Sequence, residues 1–247
     1  MQAEISGTEE AIWTAEGTKK RQAVQGMFAE IAPSYDRINS LISLSLHHRW
    51  RRFAVSTLQL SEGMSALDVC CGTGDFMIPL RMAVGKSGHV FGVDFCLPML
   101  QVAQTKNQES ISLGDACSLP IGSNQFDAVS VGWGIRNVPD IDQAHREAYR
   151  VLKPGGRFAS LDMARPRNTI LRFCSELICL KLVPKLGALF GKATAYTYLP
   201  KSTLRFLTRE QLSASMESAG FENVRHKDLL LGNICIHYAQ KPGGRLS

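Results

Sequence analysis

The stretch ALDVCCGTGD, residues 66–75, decides the fold. Its apolar first half predicts a buried parallel strand. Gly72 and Gly74 predict a tight turn, because glycine tolerates positive φ and lets a ligand approach the backbone. Apolar residues 76–83 predict the helix behind the turn, and the next apolar run ends at Asp94, where an acid can accept hydrogen bonds from a ribose diol. Together these features predict an α/β domain that binds a nucleoside.

The glycine turn also distinguishes between kinds of nucleoside. A dinucleotide site needs Gly-x-Gly-x-x-Gly, and Met77 stands at the third position, which disfavours an NAD-dependent reductase. Asp68 would repel a pyrophosphate but suits a ligand that carries positive charge. S-adenosylmethionine has a sulfonium and an ammonium and no phosphate. Residues 68–74 resemble the first motif of class I methyltransferases, with Cys70 in place of the first glycine of that motif.

The composition is that of a globular protein. The chain has 247 residues, 45% hydrophobic and 20% charged, which suits one domain with a good core. Its seven cysteines form no CxxC pair and no metal-type spacing with histidine, so we expect reduced thiols, a cytoplasmic location and no metal. Residues 1–20 contain several glutamates and no apolar run. We therefore expect a flexible arm over residues 1–21, and neither a signal peptide nor a transmembrane segment.

The net charge of +6 is concentrated at residues 47–52 and 164–192. No nucleic-acid-binding module accompanies these clusters, so no nucleic acid is expected. In the second cluster, basic residues alternate with apolar ones, which suits an anionic membrane surface, although a solvated face is the plain alternative. Residues 169–192 are predicted to be helical with breaks at Pro184 and Gly187, so they cannot span a bilayer. Either a membrane or an internal helix pair would cover the apolar residues there, which are Ile170, Leu171, Phe173, Leu177, Ile178 and Leu180.

Strand and helix patterns alternate along the chain. This alternation predicts a parallel sheet with helices on both faces. Asp140 is expected to cap one helix, and Thr208 with Gln211 to form a capping box on another. The predicted strands are 66–70, 89–94, 110–114, 126–131, 157–162, 223–230 and 233–239.

Candidate site residues follow from the sheet, because ligands bind at the carboxyl ends of parallel strands. Asp115 with Ala116 can bind the amino edge of an adenine. Arg136 cannot be neutralised, so it either pairs with an acid or stabilises an anion. His145 is expected at the surface. The predicted cofactor-binding residues are Asp68, Gly72, Thr73, Gly74, Asp94, Asp115, Ala116 and Gly132.

Four segments together resemble the ubiquinone/menaquinone C-methyltransferase family (UbiE/MenG), over about residues 22–240. Two departures are Gly132, where some members carry serine, and Asp162, where many carry glutamate. The segments are MFAEIAPSYDRIN at 27–39 with HRW at 48–50, LDVCCGTGD at 67–75, GIRNV at 134–138 followed by YRVLKPGG at 149–156, and YTYLPKS at 196–202 with AGF at 219–221.

The resemblance implies a class I S-adenosylmethionine-dependent methyltransferase with a Rossmann-like sheet, an N-terminal helical lid and a helical insertion at about residues 166–207. It implies C-methylation of a polyprenylated quinol. Arg136 would stabilise the phenolate, Asn137 would orient the ring oxygens or a water, and Tyr35 would close over the site. The Cys70-Cys71 loop resembles the menaquinone branch, which points to demethylmenaquinol as the substrate.

Other functions stay open at this point. They are C-methylation of a polyprenyl methoxy-benzoquinol in ubiquinone synthesis, methylation of another small hydrophobic molecule, and a cofactor-binding module for regulation or assembly. The GIRN sequence at 134–137, which is expected at the mouth of the site, is complete. This disfavours the non-catalytic module. A polyprenyl quinol lives in the bilayer, so we expect transient contact with the inner face of the membrane. A homodimer is left open, and residues 241–247 are expected to form a tail.

Overall fold

A seven-stranded sheet forms the centre of the protein in the computed structural model, which describes residues 17–106, 110–189, 191 and 193–243. The strands are β1 Ser65–Val69, β2 His89–Asp94, β3 Ile111–Leu113, β4 Phe126–Gly132, β5 Leu152–Met163, β6 Glu222–Leu229 and β7 Ile234–Gln240. Their order across the sheet is β3-β2-β1-β4-β5-β7-β6.

Strands β1 to β5 pair in parallel, whereas β7 runs antiparallel to both of its neighbours, β5 and β6. The expected parallel sheet is therefore correct for the first five strands and wrong for β7. A short turn that contains Leu230–Gly232 joins β6 to β7. It has no room for the crossover helix that a parallel pair would need.

The helices begin with α1 Gly17–Ile31, so residues 17–21 of the expected arm are helical. Residues 1–16 of that arm and residues 244–247 of the expected tail lie outside the described residues. The remaining helices are α2 Tyr35–Ile42, α3 Leu46–Thr57, α4 Met77–Val84, α5 Leu97–Thr105, α6 Ile141–Val151, α7 Thr169–Leu189, α8 Ala193–Arg205 and α9 Arg209–Ser218.

Helices cover both faces of the sheet, as the alternation of strands and helices predicts. On β1, Leu67 joins one buried cluster with Phe158 of β5 and Met216 of α9. The neighbouring Ala66 joins the other cluster with Leu80 of α4. Fully burying a large apolar side chain contributes about 1.5–3 kcal/mol. The two clusters therefore hold the sheet between its helices.

A third buried cluster joins the N-terminal helices to the helices inserted after β5. Val24 of α1, Ile38 of α2, Met99 of α5 and Tyr196 of α8 are all buried in it. The helical lid and the helical insertion that the resemblance implies thus pack against each other.

Helix α7 continues through Pro184 and Gly187, so the break expected there is wrong. A proline inside a helix costs about 3 kcal/mol or more, because it removes a backbone hydrogen bond. Packing on α8 opposes this cost. A Cβ on Gly187 would lie 2.6 Å from the Cβ of Tyr196, so the glycine permits a close approach of the two helices.

Among the described helices, none is long and apolar enough to cross a membrane.

His145 is fully buried, so its expected place at the surface is wrong. Its Nδ1 lies 2.8 Å from Ser215 Oγ, and its ring packs edge-on against Phe158. Burial lowers the pKa of His145 to about 4. The residue belongs to the packing between α6 and α9.

The caps of α6 and α9 form as predicted. Asp140 Oδ1 accepts a hydrogen bond from Gln143 N at 2.9 Å. At α9, Thr208 Oγ1 accepts from Gln211 N at 3.2 Å, and Gln211 Oε1 accepts from Thr208 N at 2.9 Å. These reciprocal bonds satisfy backbone donors that the first turn of a helix would otherwise leave unpaired.

The Thr208→Ala variant should lower the free energy of unfolding by about 1 kcal/mol, because Gln211 N loses its acceptor. Urea unfolding measures the change. Ser218→Ala, an exposed position at the other end of α9, serves as the control and should stay within about 0.5 kcal/mol of wild type. An equal loss in both variants would contradict a contribution from the cap.

Candidate active site

The loop after β1 forms one wall of a cleft at the carboxyl ends of β1, β2 and β4. Cys70, Gly72 and Gly74 have φ values of +56°, +54° and +78°, which turn the chain sharply out of the strand. The facing loop approaches closely. A Cβ on Gly134 would lie 2.3 Å from the Cβ of Cys70, so only glycine fits at that position.

Asp94 ties this loop to the end of β2. Its Oδ2 accepts from Gly72 N and its Oδ1 accepts from Cys96 N, each at 2.8 Å. The carboxylate is buried, and burial raises the pKa of Asp94 to about 6. Each carboxylate oxygen can accept a second hydrogen bond, so Asp94 can still receive the two hydroxyls of a ribose.

Asp68 lies behind the glycine loop and does not line the cleft. Its Oδ1 accepts from Ser130 Oγ at 2.7 Å, whereas its buried Oδ2 has no hydrogen-bond partner among the described residues. Burial raises the pKa of Asp68 to about 7. A positive charge in the cleft would stabilise the ionised carboxylate. The carboxylates of Asp94 and Asp68 therefore suit a cationic nucleoside such as S-adenosylmethionine.

The other predicted cofactor-binding residues divide into two groups. Those that line the cleft with Gly72 and Asp94 are Asp115, Ala116 and Gly132. Gly74 and Thr73 do not line it, and Thr73 Oγ1 donates instead to Asp36 Oδ1 of α2 at 2.6 Å. Arg21 of α1 forms an ion pair with Asp115 at 2.8 Å, so an adenine would share this carboxylate with Arg21.

Several residues of the cleft wall were missed by sequence reasoning. They lie on α1, on α5 or just before it, and in the turn after β4. No nucleoside-binding sequence motif includes these positions. A signal was present for Phe28 and Val138, which lie inside the family-like segments 27–39 and 134–138. The missed residues include Arg21, Phe28, Phe95, Met99 and Val138.

A second, larger cavity adjoins the cleft. Its volume is about 490 Å³, and its walls come mainly from the N-terminal helices and from α7 and α8. Most of its lining is apolar, with Arg51 and Arg136 among the exceptions. Phe28, Tyr35 and Trp133 line both spaces, and we call the boundary that they share the passage between cleft and cavity.

Arg136 lines the larger cavity and is bound to an acid. Its Nη1 donates to Asp162 Oδ1 and, at 3.0 Å, to Trp133 O. Burial raises the pKa of Asp162 even though the Arg136 guanidinium opposes the rise. The sequence left two roles open for Arg136, which were pairing with an acid and stabilising an anion. In the structure, Arg136 pairs with Asp162. The buried Nε of Arg136 has no partner in the described part of the chain, so a donor remains for a ligand.

Tyr35 lies at the passage, and Asn137 lines the cleft beside it. Asn137 Oδ1 accepts from Tyr198 Oη, and its Nδ2 donates to Trp133 O, both at 3.0 Å, so the amide is held within the protein. Burial raises the pKa of Tyr35, although Arg51 and Arg136 both act to lower it. Tyr35 therefore keeps its proton near neutral pH and can donate a hydrogen bond.

One group of described side chains has the spacing of a metal site. The ligand atoms of His47, His48 and Asp75 lie within 4.8 Å of one another. Arg51 contacts His47 Nδ1 and lies 3.5 Å from Asp75 Oδ2. A metal ion would face this guanidinium at close range, so these residues do not fit a metal centre.

The Asp94→Ala variant should weaken binding of S-adenosylmethionine by at least tenfold. It removes one or two hydrogen bonds to a charged acceptor, each contributing about 1.5–3 kcal/mol. Calorimetric titration with S-adenosylmethionine measures the change. Unchanged affinity would remove Asp94 from the site.

The pH dependence of binding provides the control. The raised pKa of Asp94, about 6, means that acidification through pH 6 protonates the carboxyl and removes acceptor sites. Wild-type affinity should therefore fall as the pH drops from 7 to 5. In Asp94→Ala, the affinity should change less between pH 7 and 5, because the carboxyl that titrates near pH 6 is absent.

A family model described as the ubiE/COQ5 methyltransferase family matches residues 16–241. A demethylmenaquinone methyltransferase of Lactiplantibacillus plantarum is 39% identical over 226 residues, covering 88% of this chain and 95% of that protein. A 2-phytyl-1,4-naphtoquinone methyltransferase of Thermosynechococcus vestitus is 40% identical over 222 residues, covering 88% of this chain and 99% of that protein.

Solved structures share the fold at lower identity. A SAM-dependent methyltransferase of Thermotoga maritima has a TM-score of 0.64 at 22% identity, covering 87% of this chain and 98% of that one. Another, from Aquifex aeolicus, has a TM-score of 0.60 at 20% identity, covering 83% and 97%. These structures confirm the class I methyltransferase fold. The family model and the relatives confirm an enzyme that uses S-adenosylmethionine. Because the family model matches residues 16–241, the chain belongs to the ubiE/COQ5 methyltransferase family.

Proposed function

We propose that this enzyme transfers the methyl group of S-adenosylmethionine to a ring carbon of demethylmenaquinol. The observation that carries the proposal is the passage at Tyr35 and Trp133, where the cleft meets a large apolar cavity. A donor in the cleft and an aromatic ring in the cavity would meet there. One relative is named a demethylmenaquinone methyltransferase and another a 2-phytyl-1,4-naphtoquinone methyltransferase, which favours a naphthoquinol over a benzoquinol.

When bound, S-adenosylmethionine supplies a methyl group whose bond to sulfur breaks, leaving both electrons on sulfur, as the ring carbon bonds to the methyl and the ring releases a proton. The chain aligns the ring and stabilises negative charge on its oxygen. Arg136 suits the second task, because Asp162 fixes the guanidinium and leaves Nε as a donor. Tyr35, which keeps its proton, can donate a hydrogen bond to a ring oxygen, and Asn137 Nδ2 keeps one N–H for a ring oxygen or a water.

The prenyl tail would lie in the apolar cavity and leave through its mouth. Leu171, Ile178, Leu230 and Leu231 line the cavity and are also exposed at the surface. Burying a tail there contributes about 0.8 kcal/mol for each CH₂ removed from water. A tail too long for the cavity would emerge among these side chains.

An apolar surface surrounds this mouth. Six exposed side chains define it: Ile170, Phe173, Leu177 and Ile178 of α7, with Leu230 and Leu231 of the turn between β6 and β7. Lys181 and Lys185 of α7 are exposed beside it. The apolar residues that the sequence singled out in this segment are exposed, which favours a membrane over an internal helix pair as their cover. We propose that the apolar surface rests on the inner face of the membrane, with residues 22–240 as one catalytic domain.

Transfer of isotope from methyl-labelled S-adenosylmethionine tests the proposed function. Demethylmenaquinol and a prenylated methoxy-benzoquinol, each in detergent micelles, are offered separately, and label is counted in the extracted lipid. We expect label in the naphthoquinol. Label in the benzoquinol alone, or in neither lipid, would refute the demethylmenaquinol assignment.

The Arg136→Lys variant should lower turnover by about 10²–10³-fold, because a lysine lacks the planar fork that holds both Asp162 and a ring oxygen. Affinity for S-adenosylmethionine should stay close to wild type, since Arg136 lines the cavity and not the cleft. Single-turnover rates and calorimetry measure the two quantities. Full turnover in the variant would exclude the role.

A charge-reversal variant tests the membrane contact. Lys181→Glu with Lys185→Glu should reduce pelleting with anionic liposomes at low salt, because each basic residue near the surface contributes about 1 kcal/mol. Lys86→Glu with Arg52→Glu changes the net charge equally at exposed positions outside the apolar surface. Equal pelleting of both double variants would contradict the assigned surface.

A further inference from the structure

Arg51 of α3 is a buried cation at the passage between cleft and cavity. Its side chain is 8% exposed, and its guanidinium carbon lies over the Trp133 ring, 4.8 Å from the ring centre. Arg51 lines the apolar cavity, and Trp133 lines both spaces. Under the proposed function, this guanidinium lies where the quinol ring would meet the methyl donor.

The hydrogen-bonding capacity of Arg51 is only partly used. Nη1 contacts His47 Nδ1, and Nη2 lies 3.5 Å from Asp75 Oδ2. Nε is buried and finds no acceptor within the described ranges of the chain. Buried donors almost always have a partner, so this one calls for an acceptor from outside the chain, such as a water or a ligand oxygen.

Neighbouring charges compensate Arg51 less than they compensate Arg136. Arg136 has a buried carboxylate, Asp162, in direct contact. The Asp75 carboxylate is shared between Lys106 and Arg51. Lys106 Nζ lies 2.7 Å from Asp75 Oδ1, whereas Arg51 Nη2 lies 3.5 Å from Asp75 Oδ2. His47 adds no negative charge, since its Nδ1 faces an arginine N–H and must be unprotonated. Other charged or titratable groups near this cluster are Tyr35, Asp36, His48 and Asp68.

We propose that Arg51 binds an oxygen of the quinol ring and stabilises negative charge on it, with the Trp133 ring beside the bound substrate. This inference rests on the proposed function and adds a second cation to Arg136. Arg51 stays protonated throughout. The hydroxyl proton passes to water, and the guanidinium lowers the free-energy cost of forming the phenolate. After the methylated ring carbon loses its C–H proton, the oxygen takes up a proton from water, so one proton is released overall.

The pH dependence of kcat at saturating demethylmenaquinol, which reports ionisation within the enzyme–substrate complex, tests the inference. Phenols ionise near pH ~10, and a cation in contact lowers that value by about 1–3 pH units. Arg51→Gln should therefore shift the acidic limb of the profile upward by about 1–3 pH units, whereas Arg51→Lys, which keeps the charge, should stay near wild type. Arg52→Gln, exposed on the same helix, is the matched control. An unshifted limb in Arg51→Gln, whatever its rate, would overturn the inference.

A second measurement does not depend on methyl transfer. 1-Naphthol changes its absorption spectrum on ionisation, so its pKa can be read in the presence of excess protein. We expect wild type to lower the pKa of bound naphthol and Arg51→Gln to return it toward the free value. An unlowered pKa on wild type contradicts the inference even if Arg51→Gln fails to fold. A lowered pKa on an enzyme that leaves demethylmenaquinol unmethylated would support Arg51 as an anion-binding residue and refute the substrate assignment instead.

Discussion

The hydrogen bonds that Gly72 N and Cys96 N donate to the Asp94 carboxylate are the constraint on which the site depends. They join the loop after β1 to the residues that follow β2, so the two strand ends cannot move independently. The loop in turn carries Thr73, whose hydroxyl donates to Asp36 of α2. One buried carboxylate therefore fixes both the floor of the cleft and, through a second hydrogen bond, the helix that covers it.

Features that depend on nearby residues could be predicted from the sequence. The β1 strand, its glycine turn and the acid at position 94 follow from residues a few positions apart, and so does the capping box of Thr208 and Gln211. The same applies to the helices on both faces of the sheet, because the alternation of patterns carries that information.

Features that depend on distant partners could not be predicted. Arg136 and Asp162 are 26 positions apart, and Asn137 and Tyr198 are 61 apart, so local patterns do not reveal either pair. Helix α7 passes Pro184 because α8 packs on it, which is again a tertiary effect. The basic run 47–52 looked uniform in sequence. Only the fold turns Arg51 inward, since successive residues of a helix point about 100° apart.

The two spaces of the site differ in charge. The cleft is lined by Asp94 and Asp115 against Arg21, with Asp68 behind it, whereas the cavity is lined by Arg51, Arg136 and Arg165 against Glu176. Under the proposed function, a cationic donor would lie on the acidic side and a ring that gains negative charge on the basic side. The transfer would then join opposite charges across the passage at Trp133.

Trp133 gives the molecule an optical property as well. Its indole lies in the wall shared by both spaces, 6.4 Å from the ring of Trp50 and beneath the Arg51 guanidinium. Indole emission depends on nearby charge and on exposure to water. Filling either space would change those surroundings, so the native fluorescence of this tryptophan pair reports occupancy of the site without any attached dye.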